Sequence, residues 1–276
     1  MTASVLDALP LTCPVCGQGL RRQSGSLRCA ARHTFDIARQ GYVNLAAGRA
    51  LVGDTAAMVV DRDGFLAAGH YRPLAERVAA LAAAALPRPD VLVVDAGGGT
   101  GYYLAHVLDR VPPARGMVID SSVAAVRRAA KAHPRAGAVA WNVWEPWPLA
   151  EGAVDLVLDV FAPRNPEEFH RVLAPDGALL VVTPAPDHLA EVRDVTHLIG
   201  VDERKPERLE RALAARFRTE VREHLSFPLH LDDDGLRQVV GMGPSAHHRE
   251  PGAWPAPGGI TATASFVLTL YRPAPR

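Results

Sequence analysis

Asp95-Ala96-Gly97-Gly98-Gly99-Thr100-Gly101 follows the apolar run Val91-Leu92-Val93-Val94 and opens a segment of helical period over about 101–110. A short continuous apolar run is what a parallel strand buried on both faces looks like. The turn therefore joins a central strand to a helix. Glycines are needed there because the backbone turns sharply and a ligand lies against it without room for a side chain. A turn built for a pyrophosphate favours Gly-x-Gly-x-x-Gly at a helix N-terminus. Here Gly97, Gly99 and Gly101 place the last glycine one position early, and Tyr102 stands where the sixth-position glycine belongs. S-adenosylmethionine has no phosphate, and its ammonium favours an acid at the strand end. Asp95 supplies one, directly or through water. Asp120 closes the next strand about 20 residues beyond the turn, where a carboxylate can hold both ribose hydroxyls.

Outward from the turn, strands and helices alternate. Strands are expected at Val91–Asp95, Gly116–Asp120, Ala138–Asn142, Asp155–Phe161 and Gly177–Thr183. Helices are expected at Arg72–Leu86, 122–132, Pro166–Leu173 and from about His188, with others at Glu207–Ala215 and Asp234–Met242. Thr219–Phe227 and Thr261–Tyr271 read as two further strands with an antiparallel ending. The fold class is α/β: a Rossmann-like class I methyltransferase with a seven-stranded mixed sheet. Choosing it over a dinucleotide dehydrogenase rests on analogy with that ending. Asn142 and Val143, at the end of the third strand, are placed to contact adenine.

The 276 residues carry 30 basic and 30 acidic side chains, so net charge gives no global support for nucleic-acid binding. The longest apolar runs, such as Val78–Leu86, are too short to span a bilayer, and no secretion signal is visible at the start. A cytoplasmic protein with no membrane partner is expected. The organisation reads as a module over 1–45, with residues 1–10 a loose leader, a connector over 46–70 holding at most one helical turn, and a catalytic domain over 71–276.

The three cysteines are Cys13, Cys16 and Cys29, and His33 follows the last. Cys-x2-Cys and Cys-x3-His offer three thiolates and an imidazole, a closed tetrahedral set for a structural zinc ion. A segment this short cannot build its own core, so the metal would supply much of its folding free energy. Between residues 11 and 49 the arginines Arg21, Arg22, Arg28, Arg32, Arg39 and Arg49 face only Asp36. Such arginines can clamp phosphates and stack on bases, which makes the module a candidate RNA-binding surface.

Cys13-Pro14-x-Cys16, then Cys29-x3-His33-x-Phe35-Asp36-x-Ala38-x-x-Gly41-Tyr42-Val43-Asn44-Leu45, resembles the RlmA family of large-subunit rRNA guanine-N1 methyltransferases. Further matching blocks are Phe65–Leu74, Phe161-Ala162-Pro163-x-Asn165, Glu168–Leu173, Thr183–Leu189 and Met242–Ala246. The best fit is to the branch that includes tylosin-resistance methyltransferases. The resemblance implies S-adenosylmethionine contacts at Tyr71, Thr100, Gly101 and His188, and zinc on Cys13, Cys16, Cys29 and His33. It implies a substrate, guanosine 748 in hairpin 35 of 23S rRNA, with guanosine 745 as the neighbouring alternative and no DNA partner. It also implies resistance to tylosin-type macrolides and a homodimer. One departure is the turn itself, Gly-Gly-Gly-Thr-Gly, which lacks the acid that family members carry before the last glycine. For such a reaction the acceptor lies over the loop after the fourth strand. There Phe161 is a candidate to stack on a flipped guanine, and Asp159 to contact or deprotonate N1.

Overall fold

A computed structural model describes residues 5–86, 88, 90–196, 211–243 and 258–275. Its main sheet runs β10 (Phe217–Leu231), β11 (Ile260–Pro273), β9 (Leu173–Pro184), β8 (Val154–Val160), β5 (Leu92–Ala96), β6 (Arg115–Asp120), β7 (Ala136–Ala140), β4 (Val43–Asn44). Strands β4 to β9 pair in parallel. Strand β11 inserts antiparallel between β9 and β10. The seven expected strands are all present. The eighth, β4, comes from the end of the zinc module and extends the sheet beside β7.

Strand β5 is buried at every position and lies between β6 and β8. The chain leaves β5 towards β6 and later returns to its other side at β8. The carboxyl end of β5 is therefore the switch point, where open α/β sheets bind their ligands.

Alternate residues of the central strands feed two cores. Val93, Leu156 and Leu158 face one core with α2 (Arg72–Ala85), α3 (Tyr102–Arg110) and α4 (Val123–Ala132). Leu92, Val94 and Val157 face the other, with α5 (Pro166–Val172). The β7–β8 connection carries no helix, so part of this second face lacks the usual cover. The zinc module fills it: Leu6, Leu9, Leu11, Leu20, Leu27 and Phe35 are buried in the same core. A side chain at Gly137 of β7 would run into Leu9 and Leu6. The expected loose leader is thus anchored from Val5, and the module is built into the fold.

The expected connector over 46–70 is corrected. Ala56–Ala67 forms a 12-residue helix, α1. The Thr55 side chain accepts from Met58 N at 3.3 Å, and Met58, Val59, Phe65 and Leu66 are buried. Gly64 weakens the helical signal, and it sits against the Gln238 side chain of α7 (Asp233–Gly241). The helix expected from His188 starts at Ala190 (α6, Ala190–Thr196). Residues 207–210 of the expected helix Glu207–Ala215, and 244–246 of the Met242–Ala246 block, lie outside the described residues.

Candidate active site and zinc module

Positive φ angles at Gly97 (63°), Gly99 (56°) and Gly101 (81°) shape the turn after β5. Its neighbours explain the run of glycines. A Cβ on Gly97 would lie 2.7 Å from Ala162 Cβ, in the loop after β8. A Cβ on Gly98 would lie 2.5 Å from Asp95 Cγ. Glycine at 98 therefore has a local cause, because the Asp95 carboxyl lies directly against it. Thr100, just before α3, is buried.

Asp95 is fully buried and neither carboxyl oxygen has a hydrogen-bond partner among the described residues. Burial, reinforced by the charge of Asp120, raises its pKa to about 8. An orphaned acid beneath a ligand turn fits a cationic ligand group, which S-adenosylmethionine has. Asp120 Oδ2 accepts from Gly99 N at 2.9 Å, and Oδ1 accepts from Ser122 N at 2.7 Å. Each oxygen keeps a lone pair, the acceptor set a ribose diol needs.

Sequence reasoning missed the cover over this turn. Gly53 packs on Ser121 and Ser122, and Ser122 Oγ donates to Asp54 O at 2.7 Å. Arg62 of α1 pairs with Asp54, donates to Met242 O at 3.0 Å and reaches the side of Gly99. These contacts join segments far apart in the chain, and only the Asp120-Ser121-Ser122 cap was a local cue.

Beside the turn lies an aromatic cluster. Tyr71 Oη is 3.1 Å from His188 Nε2. His188 Nδ1 accepts from Ser265 N at 3.1 Å, so the neutral ring carries its proton on Nε2 and donates it to Tyr71. Burial lowers the His188 pKa to about 4 and holds the Tyr71 phenol well above its ordinary value. Tyr71 thus keeps its own O–H to donate elsewhere. Phe161 adopts φ 59°, a strained conformation for an aromatic residue, and is 41% exposed. Its ring centroid lies 6.3 Å from those of Tyr71 and Tyr103 and 5.5 Å from that of Phe266.

Asp159 is also fully buried, with Oδ1 3.2 Å from Arg164 Nε but outside hydrogen-bond alignment. Burial raises its pKa well above the ordinary value, although Arg164 opposes the rise. Asn142 Oδ1 accepts from Trp144 N at 3.1 Å, which closes a turn at the end of β7, and Val143 is buried beside it.

In the N-terminal module, β1 (Arg21–Gln23), β2 (Ser26–Arg28) and β3 (Thr34–Asp36) form a small antiparallel sheet. The ligand atoms of Cys13, Cys16, Cys29 and His33 all lie within 4.8 Å of one another. Cys16 Sγ and Cys29 Sγ are 3.7 Å apart, and His33 Nδ1 is 3.5 Å from Cys13 Sγ and 3.4 Å from Cys29 Sγ. Zinc–sulfur bonds of about 2.3 Å give a tetrahedral edge of about 3.8 Å, so the four residues fit the ion. Arg21 sits directly opposite Arg28 across the hairpin. Like charges opposed in this way are unfavourable unless an anion joins them. Arg21, Arg28, Arg32 and Arg39 have no ion pair among the described residues. Arg22 pairs with Asp7 and Arg49 with Glu145, which trims the local excess.

The family model described as RlmA, N-terminal, a zinc ribbon, matches residues 11–46, and a methyltransferase-domain model matches 93–177. A Streptomyces fradiae relative named 23S rRNA (guanine(748)-N(1))-methyltransferase is 48% identical, over 96% of this chain and 97% of its own. The chain belongs to the RlmA-type family of 23S rRNA (guanine-N1)-methyltransferases. A Micromonospora griseorubida relative is likewise 48% identical, over 97% of this chain and 99% of its own. In the solved complex of the Haloferax volcanii Trm112 methyltransferase activator, one chain superposes with a TM-score of 0.52 at 21% identity. It covers 82% of this chain and 100% of itself, and shares the fold. Membership brings a methyltransferase domain that uses S-adenosylmethionine and a zinc ribbon, and both cofactors fit the residues described above. No helix among the described residues is long and apolar enough to cross a membrane.

Proposed function

We propose that this chain transfers a methyl group from S-adenosylmethionine to N1 of guanosine 748, in hairpin 35 of 23S rRNA, and so protects the ribosome from tylosin-type macrolides. The carrying observation is the union in one chain of this cofactor turn with a Cys3His module that sets Arg21 opposite Arg28. The S. fradiae relative names the position.

The bound cofactor supplies an electrophilic methyl group on a sulfonium. Asp120 holds the ribose hydroxyls, and Asn142 and Val143 border the adenine. Asp95 answers the ammonium, and the Tyr71 O–H, oriented by His188, donates to the cofactor's polar end. Thr100 and the turn backbone at Gly97, Gly99 and Gly101 would line its other face. Phe161, held out of the ordinary backbone region and backed by Tyr103 and Phe266, would stack on the guanine and hold N1 towards the methyl group. The N1–methyl bond would form as the S–C bond breaks and S-adenosylhomocysteine leaves, and the N1 proton would pass to solvent. Full burial and the Arg164 ion pair support a positioning role for Asp159 on the Phe161–Asn165 loop, in place of direct contact with N1. The arginines Arg21, Arg28, Arg32 and Arg39, with Arg22 at the edge, hold RNA phosphates. A homodimer would present two such surfaces to one RNA.

Expression in a tylosin-sensitive bacterium tests the reading. The expected result is raised tylosin tolerance with a new reverse-transcription stop next to guanosine 748. A stop next to guanosine 745 instead would move the target, and no stop in 23S rRNA would overturn the substrate.

A further inference from the structure

A cleft of about 660 Å³ runs between Thr12–Gly17 of the zinc module and the loop Trp141–Glu151. One wall is the Trp141 indole, with the Arg49 guanidinium 4.9 Å from its centroid. Arg49 and Glu145 face each other at 3.5 Å, their side chains 49% and 46% exposed. Across the cleft, Val15 of the zinc module is 58% exposed.

Trp141 departs from the rule for buried indoles. It is 3% exposed, yet its Nε1–H has no acceptor among the described residues. The neighbouring Trp147, equally buried, donates its Nε1–H to Val143 O at 3.0 Å. An exposed planar cation laid on a buried indole and an exposed carboxylate beside it together match one chemistry, a nucleobase. Guanidinium and aromatic planes stack on bases, and carboxylates accept their amino and imino protons.

We propose that this cleft takes an unpaired nucleotide of the RNA substrate, next to the one that is methylated. The inference rests on the RNA reading above. The Arg49 guanidinium, backed by Trp141, forms its stacking platform, and Glu145 accepts from its base edge. Hydrogen bonds link the cleft loop to the acceptor-site loop. Asn165 Nδ2 donates to Val143 O and Trp144 O, each at 3.2 Å, and so ties the cleft loop to the loop that carries Phe161. A nucleotide held in the cleft therefore sets the distance along the strand at which a guanine meets Phe161. Choice between neighbouring guanosines follows from that spacing.

The test measures equilibrium binding of the zinc-loaded full chain to a hairpin-35 RNA, separately from methyl transfer. Arg49→Ala and Glu145→Ala should each weaken RNA binding about tenfold, the scale of one lost base stack for the first and of one hydrogen bond to a charged group for the second. Cofactor affinity, zinc content and melting temperature should stay near those of the parent. Arg49→Lys keeps the charge and loses the plane, and should restore less than half of the affinity. A photo-crosslinking residue at Val15 should label an unpaired nucleotide near the target. Parent-like RNA affinity in both alanine variants, full rescue by Arg49→Lys, or crosslinks only to protein would overturn the cleft assignment while leaving RNA methylation standing. A parent chain that binds no RNA would overturn both.

Discussion

His188 Nδ1 accepts the Ser265 N–H, which fixes the ring proton on Nε2 and aims it at Tyr71. Tyr71→Phe removes the hydroxyl to which the proposed function assigns a cofactor contact. S-adenosylhomocysteine should then bind about tenfold more weakly by calorimetry, the scale of a hydrogen bond to a charged group. Asp95 makes a different prediction. Its folded pKa is about 8, above the ordinary carboxylate value of 3.8. The proton it holds stabilises the ligand-free fold fully below the lower value, and that contribution is lost as pH rises through the higher one. Asp95→Asn should therefore gain melting temperature relative to the parent between about pH 4 and about pH 8, and bind cofactor less well. Neither Tyr71 nor His188 was legible from the residues alone. They stand 117 positions apart, and no local spacing links them. Asp95 and Asp120 were legible because each ends a strand at a set distance from the turn. The reason for Gly98 was not, because it is the Asp95 side chain itself.

The strand β8 and the loop after it carry the prediction at the scale of elements. Asp159→Asn should lower methylation severalfold through kcat, with cofactor affinity and RNA affinity near the parent's, because the Arg164 anchor slackens and Phe161 shifts. Turnover equal to the parent's would remove Asp159 from the mechanism. Most strands and helices of the sheet could be read from periodicity, since apolar runs and glycine punctuation coincide there. Helix α1 could not. It packs on α7, and Gly64, at that contact, reads in sequence as a loop residue. With α1 hidden, Arg62 and Asp54 above the cofactor turn were hidden too.

At the scale of the molecule, the zinc module and the methyltransferase sheet share one core. Leu27 and Phe35 of the module are buried with Val94 of β5 and Val157 of β8. The metal therefore stabilises more than its own hairpin. Chelation, or Cys29→Ser, should lower the melting temperature of the whole chain in a single transition and abolish RNA methylation. A separate early transition with the main one unmoved would show an independent module. Metal ligation was legible because its residues lie close in sequence, whereas the shared core was not, because it depends on the missing helix between β7 and β8.

The central claim is that this chain methylates N1 of a guanosine in 23S rRNA. The most direct measurement incubates unmodified 23S rRNA with the zinc-loaded protein and methyl-labelled S-adenosylmethionine, then digests the RNA to nucleosides. The account predicts label in 1-methylguanosine alone, approaching one methyl group per RNA. Label in another nucleoside, or in small molecules with none in RNA, would contradict it.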